Sequence, residues 1–132
     1  MRTKLISILI GISLSVTSLP TAVFAAPITC ECVRYLREVL GADIRGDAWT
    51  QVPNKPTQNV EVGDVLLTKY GKVSHASLVI DVQREVDEVI DAENFTTKVV
   101  GVTVAESNYV KCTPGTRTIA ISDVHIRGVK AV

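Results

Sequence analysis

One change of hydrophobic period constrains what this chain can fold into. Between Thr29 and Gly41, the residues Val33, Leu36, Val39 and Leu40 recur at helical spacing and give a short helix one apolar face. Gly41 ends it, because glycine takes the left-handed conformation at no steric cost. From Val60 onward the apolar residues follow strand logic instead. A turn signal at Gly63-Asp64 precedes Val65-Leu66-Leu67-Thr68, and Lys69-Tyr70-Gly71-Lys72 turns the chain into Val73 to Val82, so the two runs read as a hairpin. Arg84 to Asp91 alternates imperfectly and reads as a further antiparallel strand with one solvated face. Lys98 to Glu106 and Arg117 to Val124 are two more strand-like runs. Before the strands, Ala42 to Trp49 is a polar loop, and the prolines of Val52-Pro53-Asn54-Lys55-Pro56 exclude helix there. One helix followed by about five or six antiparallel strands is an α+β arrangement, with the helix on one sheet face.

The first 25 residues stand outside that fold. Arg2 and Lys4 form a basic start, Leu5 to Val16 is an apolar run, and Val23-Phe24-Ala25 sets up cleavage after Ala25, the pattern of a secretory signal peptide. The run is too short and wrongly flanked for a spanning helix. An uncleaved anchor is the competing reading; a lipoprotein signal ending at Cys30 lacks the small residues that would precede it. Residues 26–132 are then expected to form a single exported domain, secreted or held in the periplasm or cell wall. It is expected to be a monomer without stable membrane insertion. The chain carries 14 basic and 14 acidic side chains, and loss of the leader removes two basic ones. A slight acidic excess without a Lys/Arg cluster argues against nucleic acid as a partner.

Three cysteines in an exported chain leave one unpaired. Cys30 and Cys32 are too close to bridge each other comfortably. One economical allocation pairs Cys30 with Cys112 and leaves Cys32 free, subject to the limit on Cα separation. The other pairs Cys32 with Cys112 and leaves the thiol at Cys30. A Cys-x-Cys with two distant histidines does not match zinc-site spacing, so neither a metal nor any other cofactor is expected.

Cys32 falls in the first turn of the helix, where the partial positive charge and unpaired N–H groups favour the thiolate. The plain alternative is a small buried hydrophobe. His75, at the start of its strand, is the imidazole that can complete a Cys–His pair, whose members are distant in sequence and adjacent in space. A lone strand histidine is otherwise a surface or core residue. His125, read as lying in the last strand, is the weaker candidate. The group that orients the imidazole is sought in Glu106-Ser107-Asn108-Tyr109, where alternation puts Glu106 and Asn108 on one face; the sequence leaves the choice between them open. Asp91, Glu93 and Asn94 compete but sit in a turn. Trp49 reads most simply as a core or rim aromatic, and otherwise lines a substrate groove.

Taken in order, these residues resemble the CHAP family, the cysteine- and histidine-dependent amidohydrolases and peptidases of the papain-like superfamily. Cys32-Val33-Arg34-Tyr35-Leu36 is similar to the family's helix start, and Arg45-Gly46-Asp47-Ala48-Trp49 to the segment after it. Val62-Gly63-Asp64-Val65-Leu66 resembles the strand entry, and His75-Ala76-Ser77-Leu78-Val79 the histidine strand. Glu106-Ser107-Asn108-Tyr109 is similar to the segment supplying the third catalytic group, and Arg117-Thr118-Ile119 and Ile126-Arg127-Gly128 to the closing strands. Ser74 stands where the family has glycine, and no proline precedes the Gly63-Asp64 turn. The resemblance implies a papain-like fold and a peptidoglycan hydrolase that cuts the muramoyl–L-alanine bond or a stem or cross-bridge peptide bond. Cys32, His75 and Glu106 or Asn108 are its implied catalytic residues, Trp49 and Tyr109 its implied substrate contacts, and peptidoglycan or its peptides its partner. The competing function is a non-catalytic secreted module that binds wall peptides or a protein, for example as an inhibitor of a wall enzyme.

Overall fold

The computed structural model describes residues 31–108 and 111–132; residues 1–30, Tyr109, Val110 and the side chain of Asn108 lie outside the described part. The expected leader and Cys30 therefore fall outside it. Among the described residues there is one α-helix, α1 (Cys32–Glu38), followed by five strands: β1 (Val65–Tyr70), β2 (Val73–Val89), β3 (Phe95–Asn108), β4 (Thr113–Ala120) and β5 (Ile126–Lys130). The strands form one antiparallel sheet in the order β4-β3-β2-β1-β5. The architecture is α+β.

The helix starts at Cys32 because Glu31 caps it. Both Glu31 carboxylate oxygens accept from the open first turn, Oε1 from the Val33 N–H at 2.8 Å and Oε2 from the Arg34 N–H at 2.9 Å. At the other end the Leu40 N–H donates to Tyr35 and the Ala42 N–H to Leu36, closing over Gly41 at φ +77°. The buried face is Cys32, Val33, Tyr35 and Leu36. Val39 lies beyond the last helical turn and is exposed, while Tyr35 is buried, so the apolar face differs at these two positions from the one expected.

β1 sits between β2 and β5 and is covered on both faces. Val65 and Leu67 join the helix-side core with Val33, Leu36, Ile44 and Ala76. Leu66 joins a second core on the other face with Val60, Val79, Val102, Val104, Ile119 and Val129. That explains the unbroken apolar run Val65-Leu66-Leu67, which a half-solvated strand does not need. The two strands expected at Val73–Val82 and Arg84–Asp91 are one strand, β2. It stays paired with β3 through register shifts near Ile80, Arg84 and Asp87, and these bulges produced the imperfect alternation. The end of this hairpin, from Arg84 to Lys98, is exposed. The run expected to continue to Val124 stops at Ala120, where a turn carries Val124 into solvent.

The segment between helix and sheet is tied down by buried polar side chains. Gln51 donates to the carbonyls of Arg45 and Asp47 and accepts from Lys130 Nζ at 2.8 Å, joining the loop to β5. Lys55 bridges Asp64 at 2.7 Å and Glu61 at 3.0 Å at the entry to β1. The loop also presses Pro53 against Gly128, where a Cβ would meet Pro53 Cβ at 2.6 Å in a backbone at φ +153°. Neither the space nor the conformation admits a side chain. Gly128→Ala is expected to lower stability by about 1–3 kcal/mol, read as a lower urea midpoint at unchanged slope.

Candidate active site

Three elements bring the candidate residues together. Cys32 is the first residue of α1 and His75 the third of β2, while Glu106 lies near the end of β3. Cys32 lines a pocket of about 310 Å³ with Glu31, Ala48, Trp49, Lys72, Val73 and Ser74. The thiol therefore meets the sheet at the hairpin where β2 begins. Cys32 is a free thiol, 5% exposed. Cys112 is disulfide-bonded; Cys30, expected as its partner, is outside the described residues.

Strand register explains the imidazole's other partner. Thr68 lies opposite His75, Val79 opposite Val104, and Val104 opposite Arg117. Alternation then places Tyr70, His75, Glu106 and Arg117 on one face of four neighbouring strands. His75 Nε2 lies 2.9 Å from Glu106 Oε1. Glu106 Oε2 accepts from Arg117 Nε at 2.6 Å, and Arg117 Nη2 donates to the Tyr70 hydroxyl at 2.7 Å. Nε2 is held by Glu106, and Cys32 is the other group that acts on the ring, by hydrogen bonding and charge.

The electrostatics follow from this arrangement. Burial pulls the His75 pKa down, but hydrogen bonds to Cys32 and Glu106, with their negative charge, outweigh it and carry the imidazole from 6.5 up to about 9. Burial acts to raise Glu106, and the hydrogen bonds from His75 and Arg117 overcome it, so its carboxyl titrates below its ordinary value. At neutral pH the site is an imidazolium between a sulfur and a carboxylate. That is the proton inventory of a thiol nucleophile with a general acid beside it.

The remaining sequence candidates divide. Glu106 is the group on the imidazole; the Asn108 side chain and Tyr109 are outside the described residues. Trp49 is not a core aromatic: it is 70% exposed on the pocket wall, on the 3-10 turn Ala48–Thr50 held by Gln51. His125 is in the turn before β5 rather than in the strand, bonded through Nδ1 to Asp123 at 2.7 Å. Asp91 is spent within its exposed turn on Glu93 and Asn94. The helix-start N–H groups are unequal as oxyanion donors, since Glu31 already occupies that of Val33. The sequence reading missed Glu31, Gln51, Tyr70 and Arg117. Glu31 alone carried a local signal, as an acceptor immediately before the helix.

Compared with known proteins, the chain matches no family model, no curated protein and no solved structure. Among the described residues no helix is long and apolar enough to cross a membrane, and no three His, Cys, Asp or Glu side chains gather as metal ligands.

The raised His75 pKa makes stability depend on pH with a definite sign. The charged ring's contribution is fully present below its ordinary 6.5 and is lost as pH rises through about 9. Glu106 acts oppositely: its contribution is present above its ordinary 4.5 and is lost as pH falls through its lower folded value. Thermal unfolding is expected to show Tm falling between pH 6.5 and about 9 in the native protein and falling much less in His75→Gln.

Proposed function

We propose that the protein is an exported CHAP-type hydrolase with a papain-like arrangement of helix and sheet, cleaving an amide bond of peptidoglycan or its peptides. The observation that carries this reading is a free thiol at the start of a helix and an imidazole whose pKa is raised by that thiol and by a carboxylate, which holds its Nε2. Each part has a separate chemical task.

Cys32, as thiolate, attacks the amide carbonyl carbon, and the C–N bond's electrons later leave with the amine. The helix-start N–H of Cys32 supports the developing oxyanion, a contribution of roughly 3 kcal/mol per donor. The protonated His75 gives its Nδ1 proton to the departing nitrogen, leaving a Cys32 thioester. His75, now neutral, takes a proton from water, whose oxygen attacks the thioester and frees the acid. Glu106 accepts from Nε2 throughout, so the ring keeps one orientation and one tautomer while the Nδ1 proton comes and goes. Trp49 and Val73, both exposed beside the thiol, offer an apolar wall for the chain of the substrate. The amide class rests on the nucleophile and acid; the peptidoglycan assignment rests on the resemblance of Cys32, His75 and Glu106-Ser107-Asn108-Tyr109 to the CHAP motifs.

The purified protein and its Cys32→Ala variant are to be incubated with peptidoglycan of several wall types and the released fragments identified by mass. Fragments from the native protein, with at least a 10³-fold loss in Cys32→Ala, are expected, and their new termini name the bond. Absence of cleavage of every wall, with Cys32 inert to iodoacetamide, would overturn the hydrolase reading in favour of a binding module.

A further inference from the structure

The contact between β4 and β1 is the least expected on this face. In the strand order β4-β3-β2-β1, Arg117 and Tyr70 are separated by the two strands that carry Glu106 and His75. Neighbouring strands lie about 4.8 Å apart, so the side chains must reach towards each other across roughly three such intervals. They meet at 2.7 Å, on the face that carries the His75–Glu106 pair. His75 is 8% exposed.

We infer that Arg117, braced by Tyr70, is a positioning residue that holds Glu106 on the imidazole. A glutamate has three side-chain torsions, and its hydrogen bond to His75 uses only Oε1. Arg117 Nε fixes Oε2, so the carboxylate is pinned at both oxygens and its plane is set. The guanidinium is rigid and planar, with donors in fixed directions, and Nη2 spends one of them on Tyr70. Its carbon also lies 5.6 Å from the centroid of the Tyr70 ring, within cation–π range. Tyr70 is steadied in turn by the His125 ring, 4.6 Å between centroids, and His125 by Asp123 through both its ring and its backbone N–H. The relay runs from the turn before β5 to the imidazole. Lysine offers Glu106 the charge without the fork, and glutamine offers neither charge nor reach.

This inference rests on the hydrolase reading for its kinetic consequence but not for its geometry, and the test separates the two. Native protein, Arg117→Gln, Arg117→Lys and Tyr70→Phe are compared by kcat and KM on peptidoglycan fragments, by Tm, and by NMR of the His75 Nε2–H proton. Arg117→Gln is expected to lower kcat roughly 10- to 100-fold, the cost of a small misplacement at a reacting centre, with KM within about twofold. Arg117→Lys should recover part of the loss, Tyr70→Phe should show a smaller loss, and the Nε2–H proton should exchange with solvent faster in Arg117→Gln. A role in stability alone would lower Tm and leave both kcat per folded molecule and that proton unchanged, which would overturn the inference. If the native protein cleaves nothing, the proposed function fails, and the Nε2–H proton decides the inference: unchanged exchange in folded Arg117→Gln and Tyr70→Phe overturns it, and faster exchange sustains it.

Discussion

The structure around the site depends on keeping a buried imidazole charged. A ring that is 8% exposed would ordinarily lose its proton, because the low-dielectric interior penalises the ion. Here a sulfur from one element and a carboxylate from another both act on the ring, and the balance turns the other way. That requirement fixes where the elements must lie. The helix has to start at the β1–β2 hairpin, where Cys32 shares a pocket with Lys72, Val73 and Ser74. β3 has to run alongside β2 as far as Glu106. The fold's two cores, one beneath the helix and one across the sheet, set these distances by packing Leu67 and Ala76 on one side and Val79 and Val104 on the other.

Much of this was legible from local pattern. The helix, the β1–β2 hairpin, and His75 with Glu106 or Asn108 as the group orienting it follow from periodicity and from chemistry that leaves few alternatives, while the choice of Glu106 needed the sheet register. What failed has physical causes. β2 was divided because its bulges break alternation, and a bulge is specified by the partner strand as much as by its own residues. Between core, rim and groove the sequence could not place Trp49, because the loop that carries it is fixed by Gln51 through main-chain carbonyls, a bond no side-chain pattern announces. Val39 was counted in the apolar face because the helix was read to Gly41, whereas its last residue is Glu38. Arg117 and Tyr70 gave no signal at all. Their contact spans four strands, and it exists only once the sheet has formed.

The helix cap and the free thiol share one turn, and the cap limits what that turn can offer. Glu31 spends its carboxylate on the N–H groups of Val33 and Arg34, which stabilises the helix start by about 1 kcal/mol in typical cases. It also places a carboxylate on the pocket wall beside Cys32. The helix terminus contributes the placement of the thiol, and the cationic ring that the thiol acts on comes from the sheet.

That division gives the orienting carboxylate a particular value. An amide in place of Glu106 would also hold Nε2, but it would contribute no charge to keep the ring protonated against burial. A carboxylate alone carries its own hazard: buried beside a neutral ring, it would tend to take up a proton and exchange its acceptor oxygen for a donor. Arg117 removes that hazard, because its guanidinium remains charged whichever state His75 occupies. Glu106 therefore stays an acceptor whether His75 is charged or neutral. The ring's charge can change with pH while the carboxylate that orients it does not, and the guanidinium on β4 is what separates the two.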